Sequence, residues 1–155
     1  MASFKRVLLC YDATREGRRA LCEGAELARQ SGAETHLLAV LDRLDLTHGA
    51  DIIPAMPLGT AEQAAKEILD ESVTRLGELG VKVTGHFVVG NPIDEIARCC
   101  DELKPDLVVL GHHRRGMFAR WWDGRDDKRL LDRLSCAVLV VHAQKDTEAD
   151  AVSVS

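Results

Sequence analysis

The chain has 155 residues, of which 46% are hydrophobic and 29% charged, and its formal net charge is −5. These values are typical of one soluble globular domain and exclude a disordered or fibrous chain. The acidic balance argues against general affinity for nucleic acid or for anionic membranes. No apolar run approaches the roughly 20 residues of a membrane span. We therefore expect neither a membrane nor a nucleic acid as a partner.

The first half of the chain alternates strand and helix signals. The apolar run Arg6–Tyr11 (RVLLCY) predicts a strand buried on both faces. Thr14 is placed to cap a helix over 15–31, and Gly32 is placed to end that helix. A second buried strand is predicted at 35–41 (THLLAVL), directly before a long segment without periodicity.

That aperiodic segment, residues 42–59, contains two prolines and two glycines. A loop of this length in a compact domain is usually functional or mobile. An apolar stripe at helical spacing then predicts a helix over 60–79, made by Ala61, Ala65, Ile68, Leu69, Leu76 and Leu79. Residues 81–89 alternate apolar and polar, as in a half-exposed strand. Pro92 suits the first position of a helix that ends at 103.

The last third of the chain contains two further buried strands, at 107–110 (LVVL) and 136–142 (CAVLVVH). Between them lie an arginine-rich segment and a short helix at 126–134. Residues 111–133 contain seven Lys or Arg against four Asp, so this part is basic within an acidic chain. The polar end, residues 144–155, is predicted to be a frayed tail after a single domain over residues 1–143.

The order β-α-β-α-β-α-β-α-β predicts a five-stranded parallel, doubly wound sheet with helices on both faces. The last strand should then lie at a sheet edge, although CAVLVV is apolar on both faces. Natural proteins cover such edges. We expect a homodimer formed through the strand from Cys136 to His142; the alternative is that a helix or the C-terminal tail covers this edge.

The cysteines and the N-terminal residues bear on the cellular compartment. The five cysteines, at positions 10, 22, 99, 100 and 136, all lie in apolar segments. The opening residues MASFKR lack the apolar stretch of a secretion signal. We therefore expect buried, reduced thiols in a cytoplasmic protein.

Three stretches together resemble the universal stress protein (universal stress protein A) family. KRVLLCYDATREGRRAL is similar to its first strand, acidic turn and helix, and GNPIDEIARCCDELKPDLVVLG to its central segment and fourth strand. LLDRLSCAVLVV is similar to its last helix and strand. The resemblance implies a flavodoxin-like fold, of the type shared with adenine nucleotide alpha hydrolases. It also implies a stress-response protein that acts as a non-catalytic regulatory or binding module.

Nucleotide-binding members of this family have a glycine, two residues, a second glycine, nine residues, a third glycine and then Ser or Thr. This register fits here without gaps, with Gly111 first and Gly124 third. Arg114 replaces the second glycine and Arg125 replaces the hydroxyl. The resemblance also places Asp12 near the adenosine and Val40 where backbone groups meet the adenine.

These departures change the chemistry of the loop in opposite directions. A side chain at 114 tends to close the approach to a phosphate, and Arg125 lacks the family's hydroxyl. Arginines are nevertheless good phosphate donors. We expect a site of the dimeric universal stress protein A type, filled by its own side chains, with no ATP. The alternative is an ATP- or AMP-dependent switch that uses Asp12, Val40, Gly111, Arg114, Gly124 and Arg125.

Other candidate sites have simpler interpretations. His112 and His113 are neighbours at a strand end and should point apart, so we expect no metal. No spacing indicates a catalytic triad, and we expect no enzyme activity. Trp121 and Trp122 beside arginines could stack on bases, although a core or interface anchor suits the acidic chain better.

Overall fold

The computed structural model describes residues 4–42, 58–112 and 127–142. These form a five-stranded parallel sheet with helices on both faces, as predicted, and the strands lie in the order β3-β2-β1-β4-β5. None of the helices in these ranges is both long enough and apolar enough to cross a membrane. In chain order the elements are β1 (Arg6–Tyr11), α1 (Arg15–Ala20), α2 (Cys22–Ser31), β2 (Glu34–Leu41), α3 (Leu58–Glu78), β3 (Val83–Val89), α4 (Pro92–Leu103), β4 (Leu107–His112), α5 (Asp127–Arg133) and β5 (Ala137–His142).

The central strand, β1, pairs with β2 on one side and with β4 on the other. Cys10 is in register with Leu38 of β2 and with Leu110 of β4. The chain builds outward from β1 to β3 and then returns to start β4 on the opposite side of β1. The crevice at the carboxyl ends of β1 and β4 is therefore the topological switch point, where ligands bind in open α/β sheets.

Alternate residues of β1 enter two separate cores. Val7, Leu9 and Tyr11 pack beneath α2 and α3, on what we call the α3 face. Leu8 and Cys10 pack beneath α4 and α5, on the α4 face. All five side chains are fully buried. This double burial is the reason that β1 is a continuous apolar run instead of an alternating one.

Several predicted termination signals are confirmed. The Thr14 hydroxyl accepts the Gly17 backbone N–H at 3.0 Å, as an N-cap does. Gly32 ends α2 in the left-handed region with φ 62°. The Asn91 side chain accepts the N–H groups of Ile93 and Asp94, and Pro92 is the first residue of α4.

Some predicted boundaries are wrong. The helix predicted over 15–31 is divided at Leu21, whose N–H donates to the Arg18 carbonyl at 3.1 Å and makes a tighter turn. The β3 strand begins at Val83 and not at position 81, because the Val81 N–H donates to Leu76 at the end of α3. The fourth strand continues past 110 to His112, which pairs with His142.

Two burial predictions also need correction. Cys22 is exposed, whereas Cys10 is buried and the remaining cysteines are partly buried. Leu79, predicted to continue the apolar stripe of α3, lies just past the end of that helix and is 66% exposed. The tail 144–155, most of the predicted loop 42–59, and Trp121 and Trp122 lie outside the described residues.

We predict that Gly24→Ala lowers the free energy of unfolding by about 1–3 kcal/mol. A Cβ at this position would lie 2.5 Å from Cγ1 of the fully buried Val109, so α2 would have to move away from β4. Gly77→Ala is the matched control in α3, where an added Cβ meets no atom within 4 Å. It should raise stability by up to about 1 kcal/mol. Urea unfolding measures both variants, and equal stabilities would contradict the proposed contact.

Candidate functional site at the carboxyl edge of the sheet

The fold brings three of the predicted site residues to neighbouring strand ends. Tyr11 pairs with Ala39, so Asp12 and Val40 follow side by side at the ends of β1 and β2. Gly111 lies on β4, one residue beyond the pair formed by Cys10 and Leu110. The remaining candidates, Arg114, Gly124 and Arg125, lie outside the described residues.

The Asp12 carboxylate organises the turn between β1 and α1. Its Oδ1 accepts the Thr14 backbone N–H at 3.2 Å and the Thr14 hydroxyl at 2.5 Å. The side chain is only 6% exposed. Ala13, between these residues, has a φ of 64°, which costs about 1–2 kcal/mol in a residue other than glycine. The two hydrogen bonds to Asp12 hold this strained turn.

Two glycines are required by this turn and by the helix that follows it. A Cβ on Gly17 would lie 2.1 Å from Oδ1 of Asp12. A Cβ on Gly111 would lie 3.0 Å from the carbonyl oxygen of Gly17 and 3.1 Å from Leu21. Gly111 therefore lets α1 pack closely on β4, which is a structural role that the sequence motif did not reveal.

A second carboxylate, Asp42, lies at the same edge of the sheet, directly after β2. Like Asp12, it is buried, with 7% exposure. Nearby, the Gly90 N–H donates to the Leu41 carbonyl at 3.0 Å and ties the end of β3 to β2. The sequence showed Asp42 only as the first residue of a loop. Its position one residue after a buried strand was the available signal.

A histidine pair on the α4 face was not predicted. His36 Nδ1 lies 2.9 Å from His86 Nε2, and His36 Nε2 lies 2.9 Å from a Glu34 carboxylate oxygen. One assignment satisfies both contacts: neutral His86 donates to His36, and His36 donates to Glu34. The described residues include no group of three side chains arranged to hold a metal ion.

Burial, together with the neighbouring His36, lowers the pKa of His86, while Glu102 acts weakly in the opposite direction. The neutral imidazole is thus the form that the fold accommodates. The Glu34 carboxylate has a lowered pKa because it accepts a hydrogen bond from His36 and lies near Arg6.

The model of the universal stress protein family matches residues 3–142. The chain belongs to the universal stress protein family. The resemblance to this family that three stretches of the sequence indicated is therefore confirmed.

Individual relatives agree with this assignment. Universal stress protein Rv1636 of Mycobacterium tuberculosis is 29% identical over 92% of this chain and 99% of its own length. A universal stress protein in complex with cAMP has a TM-score of 0.61 at 21% identity, over 92% of this chain and 100% of that chain. The universal stress protein from Archaeoglobus fulgidus in complex with dAMP has a TM-score of 0.58 at 19% identity, covering 91% and 99% of the two chains.

We predict that His86 makes stability fall as the pH drops below about 6.5, its unfolded value. Because its folded pKa is lowered, the unfolded chain binds more protons between the two pKa values, and acid favours unfolding. The contribution is fully present above pH 6.5. In His86→Thr, the free energy of unfolding should vary less with pH between about 5 and 7 than in the unaltered protein. Chemical unfolding at several pH values measures this slope, and identical slopes would contradict the prediction.

Proposed function

We propose that this universal stress protein is a cytoplasmic, homodimeric regulatory or binding module that neither turns over a substrate nor holds ATP. The two hydrogen bonds that the Asp12 side chain accepts are the observation that carries this proposal. Its Oδ1 already accepts two hydrogen bonds that hold the entry to α1. A carboxylate committed in this way to backbone geometry is poorly placed to activate water as a general base.

The phosphate half of the family motif supports the same proposal. Arg114 stands where a glycine would let backbone approach a phosphate, and Arg125 stands where a hydroxyl would donate to it. Asp126 and Asp127 follow directly and add negative charge at the start of α5. We propose that this loop is closed by its own side chains.

A second candidate function is an adenine-nucleotide switch. The observation that favours it is the position of Asp12 and Val40 at adjacent strand ends, where the family resemblance places the adenosine. Relatives with this fold were solved with cAMP and with dAMP, ligands that carry a single phosphate. A site with an altered phosphate half could accept such a mononucleotide while rejecting a triphosphate.

The homodimer is proposed from the edge position of β5. This strand ends the sheet and pairs only with β4 among the described strands. Val138, Leu139 and Val140 are partly buried within one chain, and Leu139 and Val138 extend the cores of opposite faces. A second copy that pairs through the same edge would cover these side chains and the free backbone groups.

We predict that ATP at millimolar concentration leaves the melting temperature unchanged, and that Arg114→Gly with Arg125→Ser creates an ATP-dependent rise. Restoring the family pattern reopens the approach to the phosphates, and a ligand at 100 times its Kd stabilises a protein by about 2.7 kcal/mol. Thermal unfolding with ATP, AMP and cAMP measures the effect.

The matched control, Arg98→Gln with Arg133→Gln, removes two arginines from α4 and α5 outside this loop and should show no ATP response. A rise with ATP in the unaltered protein would refute the closed-loop proposal. A rise with AMP or cAMP alone would favour the mononucleotide switch.

We predict that Val140→Lys shifts the protein from dimer to monomer, because a charge would be buried between two apolar edges. Thr84→Lys, at an exposed position on the opposite edge strand β3, is the control and should leave the dimer intact. Light scattering after size exclusion at tens of micromolar measures the mass. An unaltered protein that is monomeric there would contradict the dimer.

A further inference from the structure

The α3 face contains a cavity that is separate from the carboxyl-edge site. It lies between the α1–α2 segment and the C-terminal half of α3 and has a volume of about 720 Å³. Leu76 and Val81 form one wall, and Leu9 of β1 and Leu37 of β2 lie beneath the cavity, where neighbouring side chains already cover them. A volume of this size lies within the range of about 300–1,000 Å³ that is usual for small-molecule sites.

The rim of the cavity is basic at the Glu71 end. Arg18 lies 2.9 Å and Arg15 3.4 Å from the same Glu71 oxygen. These two arginines and Arg75 together lower the pKa of Glu71, with the Arg18 hydrogen bond as the largest cause. Five arginines and three glutamates line the cavity as a whole, so its local charge is +2 and favours an additional anion; the arginines are 15, 18, 19, 29 and 75, and the glutamates are 26, 71 and 78.

One of these cations, Arg75, makes no ion pair with the part of the chain that the structure describes. The arginine end thus has one guanidinium group, that of Arg75, that is free to pair with a ligand at the rim.

The other end of the cavity, around Leu76 and Leu79, is partly open, and the Glu26–Arg29 ion pair and Glu78 lie at its rim. Leu79 lines it and remains 66% exposed, which is unusual for a large aliphatic side chain beside a groove. Leu79, just past the end of α3, lies eight residues after Glu71, which corresponds to about 12 Å at 1.5 Å per residue. A ligand that matches both ends has an anionic head and an aliphatic tail.

We propose that this cavity binds a long-chain carboxylate, such as a fatty acid. The carboxylate would pair with Arg75 and with the shared Arg18, through the bidentate geometry that guanidinium groups provide. The alkyl chain would lie along Leu76 and cover Leu79, and each buried methylene would contribute favourably. The site is independent of the carboxyl edge, so it does not depend on whether nucleotide binds there.

The exposed thiol of Cys22, at the start of α2, reports on this cavity because it is one of the lining residues. Burial raises the pKa of Cys10, and it raises the pKa of Cys99 to about 11 and of Cys100 to about 12. Burial also raises the pKa of Cys136. Cys22 should therefore be alkylated first by N-ethylmaleimide.

The test measures alkylation of Cys22 in the full chain by mass spectrometry, with dodecanoate added below its critical micelle concentration. Alkylation of Cys22 should slow severalfold, and the protection should saturate when one dodecanoate is bound per chain. Hexanoate, which has the head without the tail, and dodecanol, which has the tail without the charge, should protect much less. A parallel measurement with dodecyl phosphate shows whether the cavity selects a carboxylate head group or accepts any anion.

Two pairs of variants locate the ligand. Arg75→Ala should raise the dodecanoate concentration for half-protection about tenfold, whereas Arg98→Ala on α4 should not. Leu79→Asp should weaken protection in the same way. Its matched control is Leu131→Asp on α5, since Leu131 is the other large exposed aliphatic residue of the described chain.

Several outcomes would overturn the proposal. These are no protection by dodecanoate, equal protection by dodecanol, or a cooperative onset at the micelle concentration, which indicates surfactant action. Equal effects of Arg75→Ala and Arg98→Ala would also overturn it. Stronger protection by dodecyl phosphate than by dodecanoate would refute the carboxylate assignment.

Discussion

The rest of the fold depends on the double pairing of β1, which joins β2 on one side and β4 on the other. Since this strand is buried on both faces, its odd and even residues begin two separate cores, and each core then recruits its own helices. The chain must leave β1 in one direction and later return to its other side. The end of β1, at Asp12, is therefore the switch point as a consequence of topology, before any motif residue is considered.

Local signals were sufficient to predict the succession of strands and helices along the chain and the class of fold. Buried strands appeared as apolar runs, and Gly32 and Pro92 marked helix ends because their backbone preferences act within one turn. The errors arose where a tertiary or competing hydrogen bond decided the outcome. Val81 donates to the end of α3 and so leaves the sheet, and Leu79 is exposed although it continues an apolar stripe. Periodicity states which face a residue shares, but it does not state how closely a neighbouring element covers that face.

The polar clusters could not be predicted for a related reason. His36 and His86 are 50 residues apart in sequence and meet only because β2 and β3 pair in one register. Glu71 and its arginines likewise join α1 to α3 across more than 50 residues. By contrast, the contact of Asp12 with Thr14 is local, and an Asp followed two residues later by Thr is a known turn pattern. That contact could be predicted from the sequence, whereas the other contacts depend on the tertiary structure.

The packing of Gly111 changes how the glycine motif of this chain should be interpreted. A side chain there would meet the backbone of Gly17 and the side chain of Leu21, whatever ligand the protein binds. A glycine at this position is therefore explained by the contact between α1 and β4 and is no argument for nucleotide binding by itself. Evidence for phosphate binding must come from motif positions at which the fold itself does not require a particular residue type. Arg114 and Arg125, at the second and fourth positions of the motif, depart from the family pattern, and so the case for an altered site depends on them.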